Sequence, residues 1–373
     1  MGKLLSILIS TARSSEAYSI DGGNKHLFQD LFDSIQFQDD YHDSIELVIV
    51  DELHEKRDLK KELSSLGEWS FNYKIIPARK NFWSEQKMFR LNSSYNHAFL
   101  YSIGDYLFFA SDTVSFPKGF FQKIFYYISL GYYPHALFIY SYDRKLLLHT
   151  SEAENLKKIN PDISIEKSIC YNGLDLLQLN CKYEDLIKND YFRSNRFSCV
   201  VYSDGRADNL LVQDENISFR IGEKKALKIY SSWYYGNTTM SREDFLNLNG
   251  YSQHFDGFKG LNDCEIGPRY FYLKKIEHTM QNDHIIVEDL FTYEALQTNY
   301  DIDIVNIKYS FIDCGKLFNY FVNEKIIKAN SEPIEDEKLD KIFLEPKDEF
   351  NVLCQNYYRN NQPCFNLREM AGK

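Results

Sequence analysis

Hydrophobic positions in the first third of the chain change period in a regular way. Residues 4–10, LLSILIS, form a short apolar run of the kind that parallel strands buried on both faces show. Leu27, Phe28, Leu31, Phe32 and Ile35 then recur at helical spacing within residues 26–38, giving one apolar stripe. Ile45–Asp51, IELVIVD, is a second buried strand ending in a carboxylate, and Tyr73–Ile76 is a third, ending at Pro77. Residues 84–103 read as one helix carrying Met88, Leu91, Tyr95, Ala98 and Ile103. Tyr106–Ala110 is a fourth strand, and Pro117 opens another helix at a position that suits proline. This alternation predicts an α/β fold with a mainly parallel, doubly wound sheet.

The pattern weakens from about residue 142. Residues 143–225 are polar with short strand-like pieces and read as an insertion that contributes to an acceptor site. Regularity returns over 228–237 and in a helix near Arg242–Leu248 that ends at Gly250. Residues 301–373 read as a C-terminal extension of unknown role, with the acidic stretch 331–341 a surface segment or linker. The predicted organisation is a main domain over 1–300 and the extension after it.

Composition narrows the function classes. The 373 residues carry a net charge of −11 and no long Lys/Arg run, which argues against nucleic-acid binding and requires any bound phosphate to find its cation locally. No stretch reaches the roughly 18 apolar residues of a spanning helix. Seven cysteines without a C-x-x-C pair argue against a disulfide framework or zinc site and for a reducing, cytoplasmic setting, with peripheral membrane contact left open. The 28 Tyr and 28 Phe suit either core packing or sugar-stacking grooves.

In open α/β sheets ligands lie beyond the carboxyl ends of the strands. Polar groups follow four strands here: Ser10, Thr11 and Arg13; Asp51 and Glu52; Arg79 and Asn81; Ser111, Asp112 and Thr113. There is no G-x-G-x-x-G and no G-x-x-x-x-G-K-[ST], which argues against dinucleotide oxidoreductases and P-loop kinases.

The ordered segments SILIST, IELVIVDE, ARKN and GDYLFFASDTVSFP resemble the family 2 glycosyltransferases of the GT-A fold. GNTTMSREDFLNLNGYSQHFDGFKGLNDCEIGPRYF adds an acceptor-side motif similar to galactosyltransferase-like relatives, R-x-x-F-x-x-x-x-G-[FY] followed by G-x-x-D-x-E-x-x-x-R. The resemblance spans about residues 4–290 and implies an inverting transferase using a nucleotide-diphosphate sugar, with UDP the expected nucleotide.

On that resemblance Asp51 binds the nucleobase or ribose, Thr11 and Arg13 line the same pocket, and Arg79 approaches the diphosphate or positions Asp51, a role Arg90 could share. Asp112 is the expected ligand for Mn²⁺ or Mg²⁺, with His284 as distal ligand and His278 its rival. Only the last acid of the family's D-x-D survives, because Ala110 stands at the first position. Asp263 is the expected general base on the acceptor hydroxyl. Trp233, Gly236, Gly260 and Glu265 are assigned to donor or acceptor binding. Each has a plain structural alternative: a solvated strand end for Asp51, a turn for Asp112, a helix cap for Asp263, core packing for Trp233. The expected partners are the donor and a glycan, protein-linked or lipid-linked acceptor; self-association is open. The competing reading, motivated by Ala110 and Asn262, is a GT-A-shaped binding or scaffold protein without catalysis. A sugar-nucleotide pyrophosphorylase fits less well, since STARSSEAYS is not a Gly-rich loop.

Overall fold

The computed structural model describes residues 4–18, 24–142, 145–171, 174–181, 218–221, 224–228, 236–257, 261–275, 285–294, 311–342 and 349–372. Four parallel strands form the centre: β1 (Leu5–Thr11), β2 (Ile45–Asp51), β3 (Asn72–Pro77) and β4 (Tyr106–Ala110), in the order β3-β2-β1-β4. Beyond β4 lies β6 (Thr238–Ser241), antiparallel to it, and then β5 (His135–Tyr142). A last strand, β7 (Ile285–Glu294), runs parallel to β5 and meets the two-residue strand Val114–Ser115. The expected mixed α/β architecture with a mainly parallel central sheet is present.

The apolar runs bury both faces of that sheet. Leu5, Ile7 and Ile9 of β1 pack on one side with Leu31, Phe32 and Ile35 of α1 (Gln29–Gln36). Phe120, Phe121 and Ile124, on a helix over Phe120–Ser129, join the same core. Leu8, Val48 and Val50 face the other side, against Tyr95, Ala98 and Phe99 on the helix Leu91–Tyr101. At about 25 cal/mol per Å² of apolar surface removed from water, this two-sided burial is what holds the strands in register.

At the amino ends of the strands the carboxylate of Glu46, fully buried on β2, accepts from Ser6 Oγ at 2.5 Å, Ile103 N at 2.5 Å and Lys74 Nζ at 3.0 Å. Gly104 passes so close that an added Cβ would stand 2.4 Å from Ser6 Oγ, so the turn into β4 requires glycine.

The structure differs from the sequence expectation in two places. The single helix expected over 84–103 is broken. A four-residue helix, Phe82–Glu85, closes on a reciprocal cap between Asn81 and Ser84, Lys87 then takes φ of +55°, and the helix on the sheet starts at Leu91. Met88, expected on that helix's stripe, is buried instead beside Trp83 in a third cluster built largely from the C-terminal helices. The second difference concerns the insertion. Lys145–His149, Ile165–Tyr171 and Leu174–Leu179 prolong the sheet from β5 by antiparallel pairing, and Thr150–Ile159 is helical.

The C-terminal segment is stitched to the loop that follows Arg242–Asn247. Asn249 Nδ2 donates to Ala329 O and Phe365 O, both at 2.7 Å, and its Oδ1 accepts from Leu367 N at 2.6 Å. Asn330 Nδ2 donates to Tyr251 O at 2.8 Å while its Oδ1 accepts from Gln253 N at 2.9 Å. Paired buried amides of this kind satisfy loop backbone that would otherwise lose its hydrogen bonds to water. Among the described residues no helix is long and apolar enough to cross a membrane.

Candidate active site at the strand ends

The sheet order reverses at β1: β2 and β3 lie to one side, β4 to the other. Such a switch point opens a crevice past the carboxyl ends. The residues standing there are Thr11, which ends β1, and Asp112, two residues past β4. Thr11 Oγ1 donates to Asp112 Oδ2 at 2.8 Å, and Arg13 Nε donates to Asp112 Oδ1 at 3.0 Å. The pair is well sequestered, with 14% of the Arg13 side chain and 7% of the Asp112 side chain exposed.

Asp51, one strand over, is engaged differently from expectation. Its carboxylate is 1% exposed and accepts from Arg57 Nη2 at 2.7 Å, from Arg57 Nε at 3.0 Å and from Leu53 N at 2.9 Å. Arg57 Nη1 also donates to Arg13 O at 2.8 Å and Ser15 Oγ at 2.9 Å. Arg57 therefore ties the loop after β1 to the end of β2 and fixes the backbone of Arg13. Sequence reasoning missed Arg57; an arginine six residues after a strand-end acid was the available signal.

Thr11, Arg13, Asp51 and Asp112 thus form one bonded cluster. Arg79 is exposed. Arg90 takes Glu52 as its partner in place of Asp51, Nε to Oε2 at 2.6 Å, and donates to Arg79 O at 2.5 Å. Burial pushes the Glu52 carboxyl above its ordinary range, against the opposing pull of Arg90.

The acceptor-side motif occupies a second segment. Asp263 is half-buried in the turn that leads into the helix Ile266–Leu273, with Cys264 Sγ donating to its Oδ1 at 3.5 Å. Glu265 is fully buried and paired with Arg269, Oε2 to Nε at 2.6 Å, and accepts from Ser252 N at 2.7 Å. Its carboxylate is thus engaged in the frame of the loop. Gly236 takes φ of +51° just before β6. Trp233, Gly260, His278 and His284 lie outside the described residues.

Two buried groups within the acceptor-side motif were given no role by the sequence reading. Asp256 accepts from Asn92 N at 3.0 Å and Ser93 N at 3.2 Å, at the start of the Leu91–Tyr101 helix. Burial pushes its carboxyl up to about 8, against those hydrogen bonds. His254 lies between Ser252 Oγ at 3.2 Å and Gln362 Oε1 at 3.1 Å, and burial drops its imidazole to about 4.

The two residues act on stability with opposite signs. Between an unfolded value near 4 and a folded value of about 8, Asp256 keeps a proton only in the folded chain, so its contribution is full at low pH and is lost as pH rises. Between 6.5 and about 4, His254 takes up a proton only on unfolding, so its contribution is lost as pH falls. Urea unfolding from pH 4 to 8 should show this. Asp256→Asn should gain on the wild type as pH rises, and His254→Gln should gain as pH falls below 6.5. Curves that run parallel to the wild type would refute both assignments.

The fit of a divalent cation is decided by the donors at Asp112. Mg²⁺ and Mn²⁺ seek about six oxygens. Ala110 offers none, Ser111 Oγ is bonded to Thr113 Oγ1 at 2.9 Å, Asp51 is paired with Arg57, and a guanidinium already sits on Asp112 Oδ1. Among the described residues no group of three or more His, Cys, Asp or Glu side chains could hold a metal ion. Among the described residues these side chains alone do not complete a site for a resident divalent cation, and the expected distal ligands His284 and His278 lie outside them.

No family model and no curated protein matches the sequence. Among solved structures, the chain is similar to S. aureus TarS in complex with UDP-GlcNAc, at 12% identity and TM-score 0.48, over 96% of this chain and 74% of that one. A further structure of S. aureus TarS matches at 12% identity and TM-score 0.44, over 91% of this chain and 42% of that one. The mannosyltransferase PcManGT from Pyrobaculum calidifontis, in complex with GDP-Man and Mn²⁺, matches at 10% identity and TM-score 0.37, over all of this chain and 74% of that one.

Proposed function

We propose that the chain is a GT-A-type inverting glycosyltransferase that moves a sugar from a nucleotide-diphosphate donor, UDP-linked in the first instance, to a hydroxyl acceptor. The observation that carries this reading is the bonded cluster of Thr11, Arg13 and Asp112 at the switch point between β1 and β4. It places a cation and hydrogen-bonding groups where an α/β sheet receives a nucleotide, in an acidic chain that lacks a Gly-rich phosphate loop.

In the reaction the acceptor oxygen forms a bond to C1 of the sugar as the bond from C1 to the phosphate oxygen breaks. The electron pair leaves on the β-phosphate and the acceptor proton passes to Asp263. The products are the glycoside, the nucleoside diphosphate and a proton. Asp263 needs no acid partner, because a diphosphate departs without protonation, in contrast to the two-carboxylate glycosidases. The Glu265–Arg269 pair holds the turn that carries it. The main domain is assigned to residues 1–300, with the C-terminal segment bracing its acceptor-side loop.

The test is a donor screen by thermal unfolding and nucleoside-diphosphate release. A ligand that binds only the folded chain raises its stability by RT ln(1 + [L]/Kd), so a micromolar donor at millimolar concentration gives a shift of several degrees. Release that requires acceptor establishes the transferase. Binding with no release over a broad acceptor panel selects the scaffold reading that Ala110 motivates. No stabilisation by any nucleotide at millimolar concentration removes the transferase reading and favours a scaffold that binds no nucleotide.

A further inference from the structure

We propose that Arg13 is the positive charge that meets the diphosphate at this site, in the place where a GT-A enzyme would otherwise hold a divalent cation. The inference rests on the nucleotide-sugar reading and concerns how this chain handles the leaving group.

Three observations carry it. Arg13 Nε already occupies Asp112 Oδ1 while Thr11 takes Oδ2, so both oxygens of the carboxylate that would ligate a metal are engaged, one of them by a cation. The first acid of the D-x-D position is Ala110, buried and without a polar atom. Third, the placement of Arg13 is built from behind. Its carbonyl accepts from Arg57 Nη1 at 2.8 Å, and Arg57 is in turn locked on the buried Asp51. Asp51 and Asp112 are thus both spent on arranging arginines, Asp51 through the Arg13 backbone and Asp112 through its guanidinium.

A guanidinium suits this task. It is planar, always charged, and matches phosphate oxygens with fixed donors. A carboxylate on Nε sets the plane of the group and so the direction in which it meets an anion. The charge developing on the β-phosphate as C1–O breaks is stabilised by hydrogen bonds from Arg13, with no proton given up, as preorganised donors act elsewhere. A divalent ion would have to displace Arg13 from Asp112 and then share the crevice with it.

Isothermal titration separates the possibilities, using Mn²⁺ alone, and UDP or GDP in excess EDTA or in Mn²⁺. The wild type should show no Mn²⁺ binding below millimolar concentration, and its nucleotide affinity should agree within twofold in EDTA and in Mn²⁺. Arg13→Gln should weaken nucleotide binding tenfold or more in both buffers and should bind Mn²⁺ alone at least tenfold better than the wild type, because it frees Asp112. Arg13→Lys should recover part of the nucleotide affinity, since the charge returns without the fork. The wild-type comparison needs no variant and stands even if Arg13→Gln folds poorly. Nucleotide affinity that drops tenfold or more in EDTA overturns the role of Arg13 and leaves the transferase reading intact. Failure to bind UDP or GDP in either buffer overturns both.

Discussion

Asp263→Asn should retain wild-type nucleotide affinity and lose about 10²–10⁴-fold in acceptor-dependent nucleotide release, the range that a positioned general base contributes. The substitution keeps the shape of the side chain and an oxygen for the Cys264 thiol, which donates to Asp263 Oδ1 at 3.5 Å. It also leaves the Glu265–Arg269 pair untouched, so the turn into Ile266–Leu273 should hold its place. What it removes is the ability to accept the acceptor proton. The measurement is kcat together with donor KM: a base-deficient enzyme loses kcat with KM nearly unchanged, whereas a distorted loop would move both. A variant within twofold of wild-type turnover would dismiss Asp263 as the base.

The contrast between Asp263 and its neighbour Glu265 shows where sequence reading stops. Period and polarity were enough to place β1, β2 and β4, because a run such as IELVIVD is buried on both faces and has few other solutions. The same runs indicated which residues stand at strand ends, and Thr11, Arg13, Asp51 and Asp112 do converge there. They did not indicate which partner each would take. Arg13 belongs to Asp112 across 99 positions, and Asp51 belongs to Arg57, which no strand boundary marks. Charge pairing at such separations depends on the tertiary fold, to which a hydropathy pattern is blind. The break at Lys87 was hidden for a related reason. Met88 keeps helical spacing with Leu91 and Tyr95, yet its side chain serves the cluster formed with the C-terminal helices. Likewise the role of the extension after residue 301 was not legible, since the buried amides of Asn249 and Asn330 that bind it to the acceptor-side loop carry no sequence signature.

Arg269→Met should destabilise the fold by about 3–5 kcal/mol, the usual cost of removing one partner from a buried ion pair. Arg269 is 1% exposed and serves four acceptors at once. It donates to Glu265 at 2.6 and 3.0 Å, and to the carbonyls of Leu248, Gly250 and Ile327 at 2.9, 2.8 and 3.1 Å. Those carbonyls come from the end of the Arg242–Asn247 helix, the loop after it, and the C-terminal segment, so one guanidinium joins three pieces of chain. Methionine fills the volume but takes the guanidinium from the Gly250 and Ile327 carbonyls, while Leu248 O keeps its bond from Ala329 N, and it leaves Glu265 charged among them. Burial already pushes the Glu265 carboxyl upward, against the pull of Arg269. Without that pull Glu265 should take up a proton, and part of the loss should be recovered as pH falls. Glu265→Gln combined with Arg269→Met should recover part of it at neutral pH, because the amide oxygen can still accept from Ser252 N without bearing charge. A whole domain has only about 5–15 kcal/mol to lose, so urea midpoints of the single and double variants will resolve these differences. Arg269→Lys supplies the discriminating case: lysine can pair with Glu265 but cannot span three carbonyls. If Lys restores full stability, the ion pair alone matters; if it behaves like Met, the fork that binds the three chain segments is what holds the Asp263 turn in place.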